Sequence, residues 1–130
     1  MNEKIMFVED DEILLEYTTR CLERKGYSIL PYSDGPTAIN DIKEGIRYDL
    51  LLVDENLDGS DSIIPNLKSP NQLVLQISGR DIINLSLKVN PEAPIISLSG
   101  YNVIPKGVRN SLVKPFTLEE LLQVIGNVIQ

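Results

Sequence analysis

Histidine is absent and cysteine occurs once, at Cys21. The chain therefore carries no nitrogen and sulfur cage for zinc or copper, and neither a Ser-His-Asp nor a Cys-His pair for nucleophilic catalysis. What is left is the chemistry of carboxylates, lysines, hydroxyls and a hard cation. Four acids run together at Glu9-Asp10-Asp11-Glu12, Asp54 closes an apolar run, and Lys114 precedes Pro115. Carboxylates gathered at one point raise each other's pKa and destabilise a fold unless a cation joins them. An oxygen-only ligand set selects a hard ion, and Mg²⁺ is the common intracellular one. A lysine beside such a site pairs with it at rest and can hold a phosphoryl oxygen, and the hydroxyl of Ser99 can add a hydrogen bond. Together these groups suit phosphoryl transfer, where positioning and charge neutralisation supply most of the catalysis. An aspartate serves there as nucleophile, forming an acyl phosphate. Asp54 is the candidate, because Glu9 and Asp10 are the pair left to hold the metal.

Each residue also has a plainer reading. Asp11 and Glu12 are taken as a helix start, where acids favour the first turn. Asp54 alone would read as the N-cap of a following turn, Lys114 alone as a surface lysine, and Ser99 before Gly100 as turn chemistry. Cys21 reads as core packing on the first helix.

The functional reading requires elements that bring these side chains together. Residues 4–8 are a short apolar run that breaks off at Glu9, the pattern of a buried strand entering an acidic loop. Leu14, Leu15, Thr18, Cys21 and Leu22 recur at helical spacing over 12–25, and Gly26 suits the C-cap. A strand over Tyr27 to Tyr32, a turn at Asp34-Gly35-Pro36, a helix over Thr37 to Lys43 and an apolar strand over Asp49 to Asp54 follow. This β-α-β-α-β order predicts a parallel sheet with helices on both faces. Further on, Ala93 to Leu98 and Ser111 to Val113 read as strands. Thr117 and Glu120 make a capping box ahead of a helix that buries Leu118, Leu121, Leu122, Ile125 and Val128. Between 55 and 92 the pattern is weaker: Leu73 to Ile77 reads as a strand and Asp81 to Val89 as a helix. Ligands of an open parallel sheet bind beyond the carboxyl ends of its strands, where the strand order reverses. In the order 2-1-3-4-5 the first and third strands are neighbours. Glu9, Asp10 and Asp54 then meet at one rim, where Lys114 and Ser99 also arrive.

With 130 residues the chain has the length of one domain, 1–130. Its 12 Lys and Arg against 19 Asp and Glu give a net charge of −7, which argues against a nucleic-acid partner. No apolar stretch reaches the ~18 residues of a membrane span, and the N-terminus has no basic segment followed by an apolar one. The single cysteine fits a reducing compartment, so a cytoplasmic setting without a membrane partner is expected.

Three motifs, Ile5-Met-Phe-Val-Glu-Asp-Asp-Glu12, Asp49-Leu-Leu-Leu-Val-Asp-Glu-Asn56 and Val113-Lys-Pro-Phe116, resemble in kind and order the receiver domains of two-component response regulators. Gly26-Tyr27, Ser33-Asp34-Gly35, Asn90-Pro91 through Tyr101, and Gly107 extend the resemblance over nearly the whole chain. It implies an α/β fold: a doubly wound, five-stranded parallel sheet of order 2-1-3-4-5. It also implies phosphorelay function, with a phosphoryl group passing from a histidine kinase or phosphotransfer domain to one aspartate in the presence of Mg²⁺. On that reading Asp54 is the phosphoacceptor, and Glu9, Asp10, Asp54 and the backbone carbonyl of Asn56 hold the metal. Lys114 contacts the phosphoryl group and Ser99 is the switch hydroxyl. Such a domain is no enzyme beyond its own phosphorylation and dephosphorylation. The opening and closing segments look most like receivers of hybrid sensor kinases, so the chain is either a stand-alone regulator or part of a larger signalling protein.

The sequence also departs from the family pattern. The step from Asp54 to Ser99 is long and that from Ser99 to Lys114 is short. This implies an irregular insertion around 59–80 and a shortened fourth helix. A second alignment takes Leu73 to Ile77 as the fourth strand and Ser78 as the switch hydroxyl; Ser99 is preferred because Asn90-Pro91 through Tyr101 follows the pattern more fully. Ser111 replaces an aromatic residue, and Asp58 stands where proline is common. These changes motivate a rival reading, a degenerate receiver that binds partners independently of phosphorylation. A flavodoxin-like redox carrier would need a Gly-, Ser- or Thr-rich anion loop where this chain has four acids. An aspartate-based phosphatase would need room for a cap.

Overall fold

The computed structural model describes residues 3–55, 63–66, 69–75, 78–100 and 106–129, with 63–66 and 69–75 described by backbone alone. The elements in chain order are β1 (Lys4–Val8), α1 (Glu12–Arg24), β2 (Ser28–Tyr32), α2 (Gly35–Lys43), β3 (Leu50–Asp54), β4 (Ile63–Asn66), β5 (Ser69–Leu75), α3 (Gly79–Val89), β6 (Ile95–Ser99), β7 (Asn110–Val113) and α4 (Leu118–Ile129).

Five strands form one all-parallel sheet in the order β2-β1-β3-β6-β7, which is 2-1-3-4-5 when only its own strands are counted. The period-2 alternation of each strand divides the core between two faces. Met6, Val8, Leu51, Val53 and Ile95 point to the side covered by α2 and α3, where they meet Ala38, Ile42, Ile82 and Ile83. Ile5, Phe7, Leu50, Leu52, Ile96 and Leu98 point to the side of α1 and α4, against Leu15, Leu22, Leu121, Ile125 and Val128. Strands covered on both faces read as continuous apolar runs, which is why β1 and β3 have no polar residue inside them. Cys21 is buried with the rest of the inner face of α1.

Side chains close the orphan amides at the helix starts. Asp11 accepts from the Ile13 and Leu14 amides, both at 3.1 Å, and Asp34 accepts from Thr37 N at 2.7 Å. Thr117 and Glu120 form the reciprocal capping box, at 3.1 and 2.9 Å. Gly26, at φ 97°, takes the left-handed position just past α1.

The middle of the chain corrects the alternative alignment of the fourth strand and gives the insertion around 59–80 an internal structure. The segment anticipated as an irregular insertion contains an antiparallel hairpin, β4 against β5, with Ile63 opposite Leu75 and Ile64 opposite Val74. Gly79 and Arg80, assigned to that insertion, belong instead to α3. Leu73 to Leu75 therefore pair inside the hairpin, while β6 is the strand beside β3, with Asp54 opposite Leu98. The alignment that made 73–77 the fourth strand of the sheet is thereby overturned. Between β6 and β7, where a shortened fourth helix was expected, there is no helix among the described residues, and 101–105 lie outside them.

Candidate functional site

Each site residue lies where a strand of the sheet gives out, and the ladder continues just past the strand to hold it. Glu9 N donates to Tyr32 O of β2 at 3.0 Å, Glu55 N to Leu98 O of β6 at 2.8 Å, and Lys114 N to Ser99 O at 2.7 Å. The main chain on either side of Asp54 is thus fixed by sheet hydrogen bonds, and side chains leaving one rim are forced into a common space.

There the carboxylates of Glu9, Asp10 and Asp54 offer oxygens that all lie within 4.8 Å of one another. Glu9 and Asp54 are almost fully buried, at 1% and 2% exposure, and Asp10 is half-buried. The Lys114 ammonium spans the pair, 3.2 Å from Glu9 Oε1 and 3.0 Å from Asp54 Oδ2. The second oxygen of Glu9 accepts from Asp11 N at 3.2 Å. Burial, and then the Asp54 charge, push Glu9 up to about 7, against the opposing pull of Lys114 and the Asp11 amide. For Lys114, burial pulls the pKa down, but hydrogen bonds and charge from Asp54 and Glu9 outweigh it and the net direction is upward. One lysine thus sits between two buried acids and half-neutralises a site that keeps surplus negative charge.

The donor set suits a hard cation. Mg²⁺ takes oxygens at about 2.0–2.1 Å, so two across its octahedron lie about 4.2 Å apart. The observed spread, within 4.8 Å, is close to that span, so Glu9, Asp10 and Asp54 would fit such an ion.

Of the sequence-derived residues, Glu9, Asp10, Asp54 and Lys114 come together at this rim. Ser99 ends β6, is 1% exposed, and follows the Leu98 that pairs with Asp54. Asn56 and Asp58 lie outside the described residues. Ser78, the alternative switch hydroxyl, is the N-cap of α3: its Oγ donates to Asp81 Oδ2 at 3.1 Å and accepts from Asp81 N at 3.2 Å.

Two neighbours of the site escaped the sequence reading. Glu55 pairs with Arg80 of α3 at 3.3 Å. Gly79, the first residue of α3, lies against the main chain of Asp54 and Glu55 so closely that a Cβ there would overlap the Asp54 carbonyl oxygen. The only sequence signal for the start of α3 was the Ser78-x-x-Asp81 capping pattern.

No protein-family model matches the chain. In sequence it is 27% identical over 128 residues to the transcription factor SKN7 of Saccharomyces cerevisiae, covering 93% of this chain and 18% of that protein. To the DNA-binding response regulator MtrA of Mycobacterium tuberculosis it is 28% identical over 122 residues, covering 94% of this chain and 48% of MtrA. The chain therefore spans under half the length of these relatives. Among solved structures, the receiver domain of the hybrid histidine kinase CckA matches with a TM-score of 0.71 at 26% identity, over 98% of this chain and 99% of that one. The response regulator TrrA of Thermotoga maritima, solved in complex with Mg(2+)-BeF, matches with a TM-score of 0.74 at 23% identity over 97% and 98%. With the strand order and the acidic rim, these likenesses support a receiver domain of the kind found in response regulators of two-component signalling.

Proposed function

We propose that residues 1–130 form one phosphoacceptor receiver domain, which takes a phosphoryl group onto Asp54 from a histidine kinase or phosphotransfer domain. The observation that carries this reading is the buried Glu9–Asp54 pair bridged by Lys114, with Asp10 beside it. In the transfer, a carboxylate oxygen of Asp54 attacks phosphorus as the phosphorus–nitrogen bond of a phosphohistidine breaks. The electron pair returns to the imidazole, which takes up a proton. Lys114 is already 3.0 Å from Asp54 Oδ2 and needs only a short swing to hold a phosphoryl oxygen. Ser99 is the hydroxyl that closes on that group from the end of β6. Glu9, Asp10, Asp54 and the Asn56 carbonyl are the residues that would hold Mg²⁺. When bound, the cation neutralises charge on the transferring phosphoryl group. The domain performs this chemistry on itself and turns over no separate substrate.

We place the domain in the cytoplasm, where phosphodonor kinases act; among the described residues no helix is long and apolar enough to cross a membrane. A net charge of −7 disfavours nucleic-acid binding by this unit, so DNA contact of the kind named for MtrA would fall to another domain.

The test is incubation with Mg²⁺ and acetyl phosphate, read by intact mass. A phosphoryl increment in wild type that is lost in Asp54→Asn is expected. A wild-type chain that stays unmodified refutes the reading. Ser111, a small residue on the edge strand β7, motivates the rival, a receiver that binds partners without a phosphoryl cycle. That rival gains if millimolar Mg²⁺ also leaves the melting temperature unchanged.

A further inference from the structure

The hydrogen-bonded rim explains how Asp54 is held on its sheet side; α3 holds it on the other. A Cβ at Gly79 would overlap Asp54 O and lie 2.6 Å from Glu55 Cα and 2.9 Å from the Asp54 carbonyl carbon. All of these atoms are backbone, which cannot rotate aside. Gly79 N donates to Glu55 O at 3.3 Å, and Arg80 reaches Glu55 Oε1 at 3.3 Å. Residue 55 is therefore gripped from both sides, by Leu98 O of β6 at 2.8 Å and by the first turn of α3.

That first turn is itself stiff, closed by the Ser78–Asp81 capping box. Below it, α3 buries Ile82 and Ile83 in the core, and Ser86 Oγ shares a 2.7 Å hydrogen bond with Tyr48 OH. A displacement of the main chain at 54–55 thus meets the first turn of a helix anchored in the core by Ile82, Ile83 and Ser86. On the opposite side the connection runs through a side chain, Lys114 just past β7, which bonds Asp54 Oδ2 at 3.0 Å. There Ser97 Oγ and Ser111 Oγ are buried without a hydrogen-bond partner among the described residues, and the edge strand β7 exposes Val113.

We propose that Gly79 is a positioning residue for Asp54, and that α3 therefore responds when Asp54 gains charge. The inference rests on the phosphoacceptor reading of Asp54 and adds to it the route by which the change leaves the site.

Hydrogen–deuterium exchange on the full chain tests it, with Mg²⁺ alone and with Mg²⁺ plus beryllium fluoride, which mimics a phosphoryl group on a carboxylate. The amides of residues 82–90 should change their exchange by about threefold or more, and by more than those of 110–113. A change confined to β7 and α4 overturns the inference. Gly79→Ala should slow modification by acetyl phosphate about tenfold or more at saturating Mg²⁺, with its helical circular dichroism retained; an unchanged rate also overturns it. Should Gly79→Ala fail to fold, the wild-type exchange experiment decides alone. Acetyl phosphate modification of wild type with a silent α3 sinks this inference only. A wild type that accepts neither reagent sinks the phosphoacceptor reading, and this inference with it.

Discussion

Replacing Lys114 with methionine removes the ammonium but keeps most of the aliphatic stem. Two buried carboxylates then face each other uncompensated, with Asp10 alongside. Unit charges 4.8 Å apart, at an effective dielectric of about 20, repel by about 3 kcal/mol. That falls in the range of about 3–5 kcal/mol for breaking a buried ion pair by deleting one partner. The penalty depends on both acids being ionised, and Glu9 already sits at about 7 with the lysine in place. Without Lys114 the Glu9 pKa rises further. At pH 5 the group is protonated and most of the repulsion is gone. Urea unfolding of wild type and Lys114→Met in EDTA, at pH 5 and pH 8, measures this directly. Because uptake of a proton by Glu9 caps the loss at about 1.4 kcal/mol for each pH unit above 7, a slope near 2 kcal/mol per molar gives a midpoint drop of about 0.7 M at pH 8 and well under half of that at pH 5. Millimolar Mg²⁺ at pH 8 should recover much of the loss, because the ion binds only the folded arrangement. Equal losses at the two pH values would mean that the lysine acts through packing and not charge, and the electrostatic account of the site would fail.

The metal-free wild type should itself lose stability as pH rises. Glu9 holds its proton to about 7 when folded against an ordinary 4.5, so its contribution is fully present below 4.5 and gone above 7. Melting temperatures in EDTA across that window, repeated with Mg²⁺, should show the decline and its reversal. Away from the site, Tyr48→Phe strands the buried Ser86 hydroxyl and should cost about 1–3 kcal/mol, while adding Ser86→Ala should cost less than the two single changes summed. Thr117→Ala removes the acceptor for Glu120 N and should cost about 1 kcal/mol by chemical denaturation, with acetyl phosphate reactivity unchanged.

What the sequence made legible was whatever sits inside one element or at its end. Phe7-Val8 giving way to Glu9, and Leu52-Val53 to Asp54, mark both the strands and the rim, because a doubly covered strand cannot carry a carboxylate before it ends. Thr117 and Glu120 announced α4 by their spacing. Asp11 was read only as an acid near a helix dipole, although it caps α1 through two amides; a side chain's field and its hydrogen bonds leave the same mark in a sequence. The hairpin was harder. Pro65 and Pro70 argue against strands, since proline cannot donate to a ladder, and the apolar run at 73–77 is equally consistent with a strand of the main sheet. Periodicity reports that a strand exists but not which strand it pairs with. Gly79 lay beyond reach for a related reason. A glycine at a helix start is read as a turn residue, whereas the need for it here comes from the backbone of Asp54 and Glu55, on the far side of the hairpin in the chain. The contact is visible only once β3 and α3 have been packed, and the same packing makes residue 79 answer to residue 54.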